Sequence, residues 1–152
     1  MKAVFVDTGG WMACADAADP THVACCRARD AALDAGLALI TTDFVVDETL
    51  TLIRFRIGLA AADAWWQQID RSSRVRWERV DSDRFERARQ LFVRFRDKDL
   101  SFTDCTSAAI MRELGLTDVI TTDRHFRQMG FHVQPALPRS RARKPRRFGR
   151  SL

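Results

Sequence analysis

Short apolar runs alternate with longer segments whose apolar positions recur every three or four residues, and the alternation continues along most of the chain. Residues 2–6 (KAVFV) read as a strand, and Asp7, Thr8, Gly9 and Gly10 break it before a small-residue helix around Trp11 to Ala17. Asp19 and Pro20 carry the cap and first-turn chemistry of a second helix, which Gly36 ends in the left-handed conformation. Leu37 to Thr41 follows as a second strand. Asp43 then stands as the N-cap of a third helix, where Val45, Leu52 and Phe55 recur at helical spacing as far as Gly58. A fourth helix, from about Leu59 to Ile69, carries Trp65 and Trp66, a pair expected to pack one ring in the core and leave the other at the surface.

The second half repeats the rhythm. Arg74 to Val80 alternates as a strand, and Asp81 or Ser82 caps a fifth helix over Asp83 to Arg96, with Phe85, Leu91, Phe92 and Phe95 set among charges. The polar loop DKDLSFTD leads into a helix from about Thr103 to Leu114, stopped by Gly115. Asp118 to Thr122 is a further strand, Arg124 to Met129 a helical turn, and Phe131 to Val133 a last short strand. Strands alternating with helices predict an α/β fold with a mainly parallel central sheet of about four or five strands, flanked by helices on both faces. One domain is expected over residues 1–138, with a basic tail over 139–152.

Composition narrows the class. With 152 residues and 46% apolar content the chain has a core's worth of apolar side chains for one domain and too few residues for two. It contains no run near the roughly 18 to 20 apolar residues of a membrane span, and its N-terminus lacks the features of a signal peptide. A cytoplasmic protein that avoids membranes is the expectation. Of the four cysteines, Cys25 and Cys26 are adjacent, Cys14 and Cys105 lie in small or apolar runs, and no C-x-x-C occurs. They read as free thiols in a reducing compartment. The net charge of +5 is concentrated at one end, because the tail (RSRARKPRRFGRSL) holds seven Lys and Arg and no acid. Without it, eighteen basic residues face twenty acidic ones, a net −2. Attraction to polyanions therefore resides in the tail, unless that tail is simply a solvated end.

The acidic residues supply the candidate chemistry. In open parallel sheets, ligands bind beyond the carboxyl ends of the strands, where strand-to-helix loops and helix N-termini gather. Asp7 and Asp123 fall at such ends, and Asp104 falls in the first turn of a helix that points there. Glu48 lies between Val45 and Leu52 on an apolar helix stripe, where an unpaired carboxylate costs several kcal/mol. Such a cluster repels itself at neutral pH and calls for a cation. All-oxygen ligands select a hard ion, Mg²⁺ or Mn²⁺, which polarises a phosphoryl oxygen, orients water and stabilises the leaving oxygen. Phosphodiester hydrolysis fits these parts. The chain has no D-x-D after its first strand and no G-x-x-x-x-G-K-[ST] loop, which disfavours phosphotransfer folds.

Four segments carry a family resemblance: FVDTGGW at 5–11, VVDETLTLI at 45–53, LSFTDCTSAAIM at 100–111 and ITTDRHF at 120–126. They resemble, in order and spacing, the four acidic motifs of PIN-domain ribonucleases, and in particular VapC-type toxins. The resemblance implies a single PIN-like domain and a Mg²⁺- or Mn²⁺-dependent endoribonuclease that leaves a 5′-phosphate. It also implies a homodimer inhibited by a cognate antitoxin protein. Asp7, Glu48, Asp104 and Asp123 become metal ligands directly or through water, and Thr8 and Ser107 become hydroxyls that hold carboxylates or waters in place. The helices corresponding to the one carrying Trp65 and Trp66 form a partner groove in this family, which makes an exposed Trp an anchor candidate.

Other readings stand beside these. Asp7 alone reads as a helix cap. Asp43 ends a strand in the same ITTD as Asp123, but the helix that carries Glu48 begins there, so it is assigned as a cap. Asp47 competes with Glu48, although Thr51 four residues on marks a more polar face. Asp99 is a candidate fifth carboxylate or a solvated loop acid. His125 either contacts phosphate or decorates a turn. At the level of function, a housekeeping RNA-processing nuclease or a non-catalytic RNA- or protein-binding module is the alternative to a toxin.

Overall fold

The apolar run at the N-terminus becomes β1 (Ala3–Val6), whose Val4, Phe5 and Val6 are all buried. A strand without polar alternation has both faces covered, and β1 lies at the centre of the sheet. The computed structural model describes residues 2–136. In chain order they form β1, α1 (Thr8–Ala15), α2 (His22–Asp34), β2 (Ala38–Thr42), α3 (Asp43–Arg56), α4 (Leu59–Arg71), β3 (Val75–Glu78), α5 (Ser82–Arg94), α6 (Phe102–Glu113), β4 (Asp118–Ile120), α7 (His125–Gln128) and β5 (His132–Gln134). The five strands make one sheet in the order β3-β2-β1-β4-β5, and every pairing is parallel. This is the α/β architecture the pattern predicts, at the upper strand number. The basic tail at 139–152, and the domain end placed at 138, lie outside the described residues.

Register decides what meets at the carboxyl edge. Phe5 pairs with Ile40 on one side and Val119 on the other, so β2 and β4 end on either side of Asp7. Helices that link parallel strands must return the chain across the sheet, which places the starts of α1, α3 and α6 near that edge.

Several boundaries differ from the sequence expectation because of neighbours in the assembled fold. Helix α1 begins at Thr8 instead of Trp11, because Gly9 and Gly10 do not break the chain but let the helix cross β4. A Cβ on Gly10 would lie 2.4 Å from the Ile120 carbonyl oxygen, and one on Gly9 would lie 2.5 Å from Thr122 Oγ1. The N-cap of α3 is Thr42, whose hydroxyl accepts from the Val45 N–H at 3.0 Å, and Asp43 is the first helical residue. Asp43 instead accepts from the Val80 N–H at 3.0 Å and fastens the end of β3, which is why that strand stops at Glu78. Strand β4 stops at Ile120 because Thr121 and Thr122 turn away toward β1 and α1.

Helix α2 also starts later than Asp19 and Pro20 suggest, at His22 with Thr21 in the N-cap position, whereas the start of α5 and the helix-ending glycines follow the sequence. Asp81 accepts from the Arg84 N–H at the start of α5, and Gly36, Gly58 and Gly115 all adopt positive φ after helices. Arg84 lies between Glu78 and Glu113 and joins α5 to β3 and α6. Trp65 is buried edge-on against Trp11 (5.7 Å), while Trp66 is 41% exposed beside Trp77. The four cysteines are free, Cys25 and Cys105 buried and Cys14 and Cys26 half-buried.

Candidate functional site

Asp7 follows the last residue of β1 and is 3% exposed. It occupies the N-cap position of α1, yet its side chain makes no cap hydrogen bond. Its Oδ2 accepts from Thr121 Oγ1 at 3.1 Å, and its Oδ1 is buried with no partner. Burial raises its pKa well above the ordinary carboxylate range, and the charges of Asp104 and Glu48 push the same way.

Asp104 is the third residue of α6 and forms a capping box with Ser101. The Ser101 N–H donates to Asp104 Oδ2 at 2.9 Å, and the Asp104 N–H donates to Ser101 Oγ at 3.0 Å. Its side chain is fixed at the carboxyl edge by this pairing. Burial pushes its carboxyl up to about 6 against the Ser101 hydrogen bonds, with Asp123 and Glu48 adding to the rise.

Glu48 is half-buried on α3, with Val45 fully buried one turn before it and Leu52 half-buried one turn after. Asp47 is exposed and outside the cleft, which Glu48 lines. Asp123 is held by a turn in which its Oδ1 accepts from the His125 N–H at 2.8 Å and lies 2.8 Å from His125 Nδ1. His125 thus serves the turn and a carboxylate together.

The four carboxylates line one cleft of about 330 Å³. A second cavity of about 270 Å³, between α1, α2 and α4, has Trp11, Leu33, Leu39, Trp65 and Ile69 in its walls and lacks such a cluster. The carboxylate cleft is where charge is concentrated. Among the described residues no three His, Cys, Asp or Glu side chains are grouped tightly enough to grip an ion directly. The donor set nonetheless suits a hard divalent cation that keeps several waters, because water bridges the remaining gaps. Two orphaned buried oxygens in the cleft lining support that fit, Asp7 Oδ1 and Thr8 Oγ1; Ser107 Oγ also lacks a protein partner but lies outside the lining. The Thr8 and Ser107 hydroxyls bond no carboxylate.

Two participants escaped the sequence reading. Thr121 donates to Asp7 and accepts from the Asp123 N–H at 3.0 Å, bridging the two strand-end acids. Asp19 also lines the cleft, its carboxylate held by the Thr21 N–H at 2.7 Å. The repeated ITTD was a signal for the first, since it marks polar residues at a strand end. Nothing local singles out the second. Asp99 is exposed and outside the cleft lining.

Comparison with known proteins agrees with this geometry. The PIN domain profile matches residues 4–132. The 23S rRNA-specific endonuclease VapC20 of Mycobacterium tuberculosis is 35% identical over 133 residues, covering 87% of this chain and 98% of that protein. Ribonuclease VapC26 of the same organism is 25% identical over 126 residues, covering 81% of this chain and 89% of its own. The crystal structure of Mycobacterium tuberculosis VapC20, described as a sarcin-ricin loop cleaving toxin, superposes with a TM-score of 0.77 at 36% identity, covering 88% of this chain and all of that one.

Proposed function

Because the chain belongs to the PIN-domain family and is a homologue of the VapC endoribonuclease toxins, we propose that its carboxylate cleft hydrolyses RNA with Mg²⁺, or Mn²⁺ in its place. The observation that carries the reading is the convergence of Asp7, Glu48, Asp104 and Asp123 on one cleft, with Asp7 Oδ1 buried and unpartnered. These four would hold the ion directly or through water. A bound ion would supply charge neutralisation, activation of water and stabilisation of the leaving oxygen, and the expected product carries a 5′-phosphate.

The chain's own part is to hold those oxygens still. Thr121 fixes one Asp7 oxygen and leaves the other free, Ser101 fixes Asp104, and the turn at His125 fixes Asp123. Thr8 and Ser107 offer hydroxyls without protein partners, suited to ordered water.

The similarity to a 23S rRNA endonuclease makes ribosomal RNA the first substrate to test. Two apolar surfaces support the expected partners. Phe85 and Phe92, each 46% exposed, group with Phe44 and Phe102 and suit a homodimer face. Trp66, Leu59 and Leu50 line a groove between α3 and α4 that suits an antitoxin helix. Among the described residues no helix is long and apolar enough to cross a membrane, in keeping with a proposed cytoplasmic site of action.

The test is cleavage of total and ribosomal RNA by purified wild type and Asp7→Asn, with Mg²⁺ or EDTA, and mapping of the product ends. Wild type should cut only with the ion, and Asp7→Asn should not cut. Undiminished cutting by Asp7→Asn, or by wild type in EDTA, overturns the assignment.

A further inference from the structure

Among the described residues six charged side chains line the carboxylate cleft, and five are acids: Asp7, Asp19, Glu48, Asp104 and Asp123. The sixth is Arg56. It is the last residue of α3, and the steps Glu48, Leu52, Arg56 advance four residues at a time, so all three share one face of the helix. Eight residues at 1.5 Å each put Arg56 about 12 Å along the helix axis from Glu48. The cleft therefore runs from the acidic edge of the sheet toward a single cation.

A lone Arg in the last turn of a helix is ordinarily a solvated residue that complements the helix dipole. Two observations argue for more. Arg56 makes no ion pair or side-chain hydrogen bond among the described residues, although five carboxylates border the same cleft. Leu52, one turn earlier, is itself in the cleft wall, so the aliphatic part of the Arg side chain has an apolar surface to follow.

We propose that Arg56 binds a backbone phosphate of the RNA beside the one that is cut, an inference that rests on the nuclease reading above. A polyanion entering this cleft meets mostly negative charge, and even a divalent cation at the carboxylates neutralises only part of it. A planar guanidinium donates two parallel hydrogen bonds to phosphate oxygens and supplies the one positive charge that the described residues place in the cleft lining. Its distance from Glu48 sets it apart from the reacting phosphate. Binding made equally in ground and transition states lowers KM and leaves kcat alone, so Arg56 is a substrate-binding residue and not a catalytic one.

The experiment compares wild type, Arg56→Ala and Arg56→Lys in steady-state RNA cleavage with Mg²⁺ across a salt series. It also measures RNA binding to Asp7→Asn with and without Arg56→Ala. Arg56→Ala should raise KM roughly tenfold with kcat within about twofold, and flatten the slope of log kcat/KM against log salt by about 0.7. Arg56→Lys should keep the wild-type slope with an intermediate KM. In the Asp7→Asn background, Arg56→Ala should weaken RNA binding by a similar factor. Unchanged KM and salt slope, or a loss confined to kcat, overturns the inference. If Asp7→Asn itself cleaves like wild type, the nuclease reading fails instead, so the two failures are distinct.

Discussion

The tetrapeptide Ile-Thr-Thr-Asp occurs at 40–43 and again at 120–123, and the two copies end the strands on either side of β1. Their surroundings begin alike and their chemistry diverges. In the first copy Thr41 accepts from Trp11 Nε1 at 3.2 Å, Thr42 caps α3, and Asp43 fastens Val80. Every polar group is used to join elements. In the second copy Thr121 donates to Asp7, Thr122 packs against Gly9, and Asp123 faces the cleft. The difference lies in the next element of the chain: a helix of fourteen residues after the first copy, and only the four of α7 after the second. The first copy gives its Thr42 to the cap of α3 and its Asp43 to Val80, whereas in the second Asp123, although held by the His125 turn, stays in the cleft lining.

The sharpest way to break this contrast is to neutralise both acids. Asp123→Asn should lower kcat/KM for RNA cleavage by at least about 100-fold, as expected when a metal-organising carboxylate is removed. Asp43→Asn should keep cleavage within about twofold and lose roughly 1 kcal/mol of stability in denaturant unfolding, through weaker bonds to Val80 and Phe44. Equal losses of activity would erase the distinction between the copies.

The threonines give a smaller pair of effects. Thr121→Val removes the donor to Asp7 and the acceptor of the Asp123 N–H, so Mg²⁺ affinity by titration calorimetry should fall about 10- to 100-fold. Thr41→Val strands the buried Trp11 N–H and should cost about 1–3 kcal/mol of stability with Mg²⁺ affinity unchanged.

Titration separates the two regions further. Asp104 has a folded pKa of about 6, above its unfolded value, so the protonated form favours the fold. Its stabilising contribution is complete below about pH 4 and is lost as pH rises through about 6. Between about pH 5 and about pH 8 the metal-free protein should lose stability through this group, on the order of 1 kcal/mol, with Asp7 acting in the same direction. Denaturant midpoints measured in EDTA across this range check the sign. Asp104→Asn should reduce the slope and leave the part that Asp7 contributes, and Asp43→Asn should leave the whole slope intact.

Hydrophobic periodicity was enough to reveal the strands, the helices and their parallel arrangement, because burial of β1 on both faces is written in local spacing; on α3, however, the stripe read through Val45, Leu52 and Phe55 turns inward at Ile53 and leaves Phe55 81% exposed. Strand-end position likewise pointed to Asp7 and Asp123, and a helix face together with the family resemblance pointed to Glu48 over Asp47; all three line the cleft. Hidden from the sequence was the choice of hydrogen-bond partner. Asp43 is drawn to Val80 and leaves the capping of α3 to Thr42, and Thr121 turns to Asp7, in both cases because of a neighbour far away in the chain. Gly9 and Gly10 look like breakers in sequence, yet they mark the close approach of α1 to β4, which only the assembled sheet reveals. Asp19 reaches the cleft from the connection between α1 and α2, where no periodic pattern operates.

The unpartnered oxygen of Asp7 also bears on the lifetime of the molecule. Four carboxylates that repel one another in the folded chain are relieved on unfolding, so any cation they hold adds RT ln(1 + [L]/Kd) to stability, about 2.7 kcal/mol at a hundredfold excess over Kd. Folding and ion loading then form a single equilibrium. A copy made where free divalent cation is scarce would open more often and meet proteases sooner, so the amount of enzyme that survives would follow the ion on which its chemistry depends.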